Sequence, residues 1–282
     1  MQIVAFDAPL GAELRGLDAS RPVGAADAKA LRRALDDHLV LLARDQKLDD
    51  PALLGFSRVF GELDPPGPNP YGGPFLSAFP EINVISNVVE DGRPIGNLGA
   101  GEAVWHADMT YMEKPPKAAL LHALEVPEGQ GDTYFANQFV AWQALPIALR
   151  RRIEGLYCVH DSAHNSAGML RRGHRKTLDV RKTPGARQPL VRTDPATGAR
   201  ALFLGRRPHA WIVGLDVGES DALLDRLWAH ASDPRFVWRH RWQPGDLLVW
   251  NNLGVLHRRD AFDASARRVM HRTQIRGEQK IA

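Results

Sequence analysis

FVWRHRWQPGDLLVWNNLGVLHRRDAFDASARRVMHRTQI, residues 236–275, carries the plainest fold signal in the chain. From Phe236 to Trp242 aromatic and basic residues alternate, the period of a strand with two different faces. Gln243-Pro244-Gly245-Asp246 is a four-residue turn with Pro and Gly at its centre. Leu247 to Trp250 is an apolar strand, and Arg268 to Ile275 is strand-like again. Strands joined in this way, without a helix between them, exclude the regular strand–helix alternation of a doubly wound sheet.

Upstream, the pattern is mixed. Ala26 to His38 reads as an amphipathic helix, followed by a short strand, Leu39 to Leu42. Asp50-Pro51 starts a second helix, with Asp as the cap and Pro in the first turn, ending near Gly61. Pro65 to Pro74 is a Pro/Gly-rich loop, and Glu81 to Val88 is β-branched and strand-like. A glycine-rich loop, Gly92 to Gly101, leads directly into Val104-Trp105-His106-Ala107-Asp108. Ala118 to Val126 and Thr133-Tyr134-Phe135 are further strands around a Pro/Gly turn. Two helices fit Gln138 to Leu156, with Pro146 opening the second, and another fits Ser220 to Ala231. The expectation is one domain over residues 1–282, mainly β with flanking helices, arranged as a sandwich or jelly roll.

The composition bounds the function. The 282 residues are 44% hydrophobic and 24% charged, enough to bury a sizeable core. No apolar run is long enough to span a membrane, and no secretory leader is visible. A single cysteine, Cys158, allows no internal disulfide and fits a reducing cytoplasm. The net charge is +3, without a basic stripe interleaved with aromatics, so nucleic acid is not an expected partner. The densest basic stretch, Arg171 to Arg187, reads either as a solvated loop or as a lid drawing in an anionic substrate.

Certain side chains carry chemistry. Residues i and i+2 of a strand share a face, so His106 and Asp108 can converge on one ion. With a second imidazole they would make the facial triad of non-haem iron(II), which leaves coordination sites open. His257, at a glycine-containing bend after an apolar strand, is either that imidazole or a core histidine. Arg268 and Arg272 share a strand face about 13 Å apart. They are either solvated on an edge or turned inward to bind anions. Thr133 could share an anion with an arginine, and His271, on the opposite face, reads as structural.

In order along the chain, Trp105-His106-Ala107-Asp108, Pro115-Pro116, Gly131-Asp132-Thr133, Gly245-Asp246-Leu247, Trp250-Asn251-Asn252, His257 and Arg267-Arg268-Val269-Met270-His271-Arg272 resemble the taurine dioxygenase / 2,4-dichlorophenoxyacetate dioxygenase (TauD/TfdA) family. The likeness runs from about Leu39 to Gly277. It implies a double-stranded β-helix, with Fe(II) held by His106, Asp108 and His257. It implies 2-oxoglutarate as cosubstrate, its far carboxylate on Arg268 with Thr133 assisting, and O2 as oxidant. Arg272 would meet an anionic group of the substrate. The implied reaction hydroxylates an unactivated C–H bond and releases succinate and CO2. The carboxylate of Asp108 sets the chain apart from halogenases.

Two departures bear on the substrate. Phe60-Gly61 is not followed by the histidine of taurine dioxygenase, and Glu102 stands where that enzyme has an asparagine against taurine. An acid there repels a sulfonate, so taurine is not the expected substrate. Arg272 and the basic stretch Arg171 to Arg187 point instead to a small organic anion, a carboxylate or sulfate/sulfonate other than taurine. Glu102 could also pair with Arg272. A homo-oligomer is the expected assembly. The competing readings are another non-haem iron oxygenase and a non-catalytic iron or anion sensor on the same fold.

Overall fold

The computed structural model describes residues 1–67 and 73–281. The anticipated Pro65–Pro74 loop lies partly outside the described residues.

Two sheets face each other. The larger runs in the order Gln2–Ala5, Ala12–Arg15, Val40–Ala43, Leu247–Asn251, Ala118–Glu125, Val269–Ile275, Asn83–Ser86 and Asn97–Leu98, with Leu63–Asp64 beside Val269–Ile275. The smaller runs Val237–His240, Thr133–Asn137, Val255–Arg259 and Ala103–His106. Neighbours in space are far apart in sequence, as in a jelly roll, and most pairings are antiparallel.

Alternation decides which side chain enters which core. Val40, Leu42, Ala119, Leu121, Leu248 and Trp250 point between the sheets, where they meet Phe135 and Val255 of the smaller one. Their strand neighbours Leu41, Ala43, Leu120, Leu247 and Val249 point outward, against Leu31 and Leu35 of the helix Ala25–His38 and Leu53 of the helix Asp50–Ser57. On the smaller sheet, Ala136 and Leu256 face a third cluster built on Leu149, Leu224 and Leu227, from the helices Ile147–Ile153 and Val217–Ala231. Central strands covered on both faces explain why Leu247 to Trp250 reads as a continuous apolar run.

Boundaries shift for local reasons. The first helix ends on Leu39 in the left-handed region (φ 66°), so the strand begins at Val40. The cap of the second helix is Asp49, whose side chain accepts from Ala52 N at 2.8 Å, not Asp50. Asp50 accepts from His271 Nδ1 at 2.6 Å, so His271 faces away from the sheet interior as expected. The strand anticipated over Glu81–Val88 contracts to Asn83–Ser86. Arg268 lies one residue before its strand.

The segment 171–187 is a loop with one 3-10 turn, Val180–Lys182, up to Arg187, which opens a strand. Before it, Tyr157–Val159 pairs with Arg187–Pro189 and Trp211–Ile212 in a small sheet the sequence reading did not anticipate. The thiol of Cys158 is sealed inside this unit, and burial pushes it up to about 12. Among the described residues no helix is long and apolar enough to cross a membrane.

Leu120 is fully buried where the larger sheet meets its helices. Leu120→Ala should destabilise the fold by about 2–5 kcal/mol, read as a lower urea midpoint at unchanged slope.

Candidate metal centre and its two cavities

His106 ends the strand Ala103–His106, and His257 sits at the centre of Val255–Arg259. These strands are antiparallel neighbours in which the two histidines are direct partners. Directly opposed side chains emerge on the same face about 4.5–5.5 Å apart at Cβ. The two ring centroids are accordingly 4.2 Å apart.

Asp108 reaches the same point by a different route from the one expected. The strand stops at His106, and Asp108 lies in the following turn. Asn252 fixes that turn. Its Oδ1 accepts from Asp108 N at 2.7 Å, and its Nδ2 donates to Asp108 O at 2.9 Å and Pro116 O at 2.8 Å. Ala107 N donates to Gly205 O at 2.9 Å. Gly205 has φ +69°, and a Cβ there would stand 2.3 Å from His160 Nδ1. This position therefore takes only glycine without rearrangement.

His106 Nε2 is 3.7 Å from Asp108 Oδ1, and His257 Nε2 is 3.8 Å from Asp108 Oδ2. Both gaps are too long for hydrogen bonds and suit a shared ion, with metal–ligand bonds of about 2.0–2.2 Å. His106 Nδ1 lies 2.7 Å from Val104 O, which can only accept, so Nε2 keeps its lone pair for a metal. Burial, with His106 alongside, pushes His257 down to about 3 and keeps it neutral. Burial alone would raise the Asp108 carboxyl. Arg272 and the two imidazoles outweigh it and hold the group well below the usual carboxylate range. The donor set is thus two imidazole nitrogens and a carboxylate. Asp108 Oδ2 is buried without a hydrogen-bond partner among the described residues. That combination fits a divalent cation.

Two cavities meet at this centre. The inner one is lined by Leu121, Thr133, Phe135, Trp250 and Arg268, with His257. Arg268 is 2% exposed and forms no ion pair among the described residues. Burial, with Arg259 beside it, pushes its guanidinium well below the ordinary value. Arginine stays protonated in proteins, so this buried charge calls for an anion. Thr133 Oγ1 accepts from Trp242 Nε1 at 2.9 Å, which holds the hydroxyl on the same wall.

The outer cavity is lined by Tyr111, His160, Asp161, His164, Arg171 and Arg206. His106 and Arg272 border both cavities.

Six of the residues singled out in the sequence therefore converge: His106, Asp108, His257, Thr133, Arg268 and Arg272. Arg272 is ion-paired, its Nη1 3.0 Å from Asp108 Oδ1. Glu102 does not join them. It is exposed, lies 3.8 Å from Arg258 Nη1, and lines neither cavity. Its anticipated pairing with Arg272 does not form, because Asp108 takes that guanidinium.

The sequence reading missed the function of Asn252 and the whole outer wall. Asp161, His164 and His209 could bring donor atoms together. However, Asp161 Oδ2 is already held by Arg206 at 2.8 Å and His164 Nδ1 at 2.7 Å, and its Oδ1 by Ala163 N at 2.7 Å. With its acid fully engaged, this is an ion-paired network and not a second open metal site.

Asn252→Ala should release the Asp108 turn. We expect metal affinity to fall about 10–100-fold with the fold retained, measured by Mn(II) titration alongside thermal unfolding.

Comparison with known proteins agrees with this geometry. The family model "Taurine catabolism dioxygenase TauD, TfdA family" matches residues 3–274. The chain is 34% identical to the alpha-ketoglutarate-dependent 2,4-dichlorophenoxyacetate dioxygenase of Cupriavidus pinatubonensis, over 93% of this chain and 92% of that protein. It is 33% identical to pentalenolactone F synthase of Streptomyces arenae, over 93% and 91%. The crystal structure of AAD-2 with Mn(II) and N-oxalylglycine superposes with a TM-score of 0.82 at 28% identity, covering all of both chains. On sequence and fold together, the chain belongs to the TauD/TfdA family of alpha-ketoglutarate-dependent dioxygenases.

Proposed function

We propose that His106, Asp108 and His257 hold Fe(II), that Arg268 and Thr133 hold the far carboxylate of 2-oxoglutarate, and that the substrate occupies the outer cavity. The whole chain acts as one catalytic domain in this reading. The observation that carries it is the junction of an open His–Asp–His donor set with a cavity whose buried guanidinium has no ion-pair partner among the described residues. A dianionic keto acid matches both ends of that cavity, with one carboxylate at a cation and the other at Arg268.

Bound Fe(II) supplies the activation of O2, in which 2-oxoglutarate becomes succinate and CO2 and one oxygen atom enters a substrate C–H bond. The protein's own part is positional. Val104 and Asn252 orient the donor set, Trp250 and Phe135 wall His257 from solvent, and Arg268 fixes the cosubstrate's far end.

The substrate class follows from charge. The outer cavity is lined by three arginines and two aspartates. We infer a small organic anion, a carboxylate or a sulfate/sulfonate other than taurine. The 2,4-dichlorophenoxyacetate dioxygenase relative, named for an aryloxy acid, supports this class.

Aerobic incubation with Fe(II), 2-oxoglutarate and candidate acids should release succinate. His106→Ala, Asp108→Ala and His257→Ala should each abolish Fe(II) binding or turnover while the fold remains. Full activity in any of the three would remove that residue from the site.

Arg268→Ala leaves a carboxylate unpaired in a buried pocket, at a cost of about 2–5 kcal/mol. The KM for 2-oxoglutarate should therefore rise by at least about 30-fold. An unchanged KM would place the anchor elsewhere.

A further inference from the structure

The outer cavity is lined by three guanidiniums, Arg171, Arg206 and Arg272, and two of them are ion-paired. Arg272 is paired with Asp108 Oδ1, the carboxylate that completes the metal donor set. Arg206 is paired with Asp161 Oδ2 at 2.8 Å and also donates to Asn165 O. A backbone bridge to His106 further fixes the position of Arg206.

Arg171 differs from both. Its guanidinium lies 4.2 Å from the centre of the Tyr111 ring, and its Nη1 donates to Ser162 O at 3.2 Å. It forms no ion pair with an Asp or Glu among the described residues. The aromatic face and the one carbonyl set the plane of the guanidinium while leaving most of its five N–H donors unspent.

Next to it, His164 is held through Nδ1 by Asp161 at 2.7 Å and stacked on His209 at 4.1 Å. That leaves His164 Nε2 for another partner. Within the basic stretch 171–187, Arg171 is the residue that lines the cavity, and Leu178, further along it, is fully exposed.

We propose that Arg171, with His164 beside it, anchors the acidic group of the substrate at the outer wall. The inference rests on the anionic-substrate reading and locates that anion. A substrate acid at Arg272 would share that guanidinium with Asp108. An acid at Arg171 displaces no carboxylate. The substrate then spans the cavity, with its charged end at the outer wall and its reacting C–H bond toward His106.

The test is calorimetric binding to the Mn(II)- and 2-oxoglutarate-loaded protein, with two matched pairs as probes: phenoxyacetate with phenoxyacetamide, and hexyl sulfate with hexanol. In the wild type at least one acid should bind about tenfold or more tightly than its neutral partner. Arg171→Gln should bring that ratio close to one, and Arg171→Lys should restore part of it. The 2-oxoglutarate affinity should hold in both variants.

Persistence of the acid preference in Arg171→Gln overturns the inference. So does a parallel loss of 2-oxoglutarate affinity in both variants, which would mark Arg171 as structural. If neither acid out-binds its neutral partner in the wild type, the anionic-substrate reading itself fails.

Discussion

The site depends on the register of two strands. His106 and His257 are direct partners across an antiparallel ladder, and their side chains must leave the same face. A slip of one residue would send one imidazole into the helix-backed cluster that holds Leu256 and replace it with an apolar side chain. The alternation that fixes this register also builds the core. Val255 and His257 point between the sheets, and Leu256 packs outward against the helices. Metal geometry and fold stability are therefore constrained by the same period of two.

Around that pair the protein keeps an unusual number of charges out of water. Arg268, Arg259 and Arg206 are each less than 9% exposed, and so are Asp108 and Asp161. The charges are handled in three ways. Arg206 and Arg272 are matched to carboxylates. Arg259 donates to the carbonyls of Gly99 and Gly101, which ties the glycine-rich loop before the metal motif to the strand after it. Arg268 has neither an acid nor a carbonyl partner among the described residues, and it lines the inner cavity. A buried charge without a counter-ion is destabilising, and in the proposed reading the carboxylate of 2-oxoglutarate would offset that cost on binding.

How much of this could be read from the sequence depends on the range of each signal. The strands of residues 236–275 were legible because alternation and turn chemistry are local. The three candidate ligands stand in the sequence as an ordered series, but strand periodicity does not account for Asp108. It converges through a turn clamped by Asn252 and not through strand periodicity. Asn252 was quoted within a motif but gave no sign of its function, since an amide bonding a chain segment 144 positions away leaves no periodic trace. Glu102 was misplaced for a related reason. Sequence position brought it near the pocket, but side-chain direction at the strand's start turned it toward Arg258. The outer wall was not legible at all, because it is assembled from residues 160–171 and 206 by a small sheet of short, weakly patterned strands.

The sealed thiol of Cys158 has a consequence for an enzyme family that handles O2. Sulfur oxidation begins from an accessible thiolate, and here the sulfur is neither accessible nor ionised. Stray oxidant therefore finds no sulfenic acid to form on this chain and no partner cysteine to cross-link. The exposed sulfurs are thioethers, at Met1, Met112 and Met169, and of these Met169 lines the outer cavity, where oxidation would add a polar oxygen. Oxidation at Met169 would thus be felt as a change in the lining of the outer cavity, while the buried thiol stays chemically quiet.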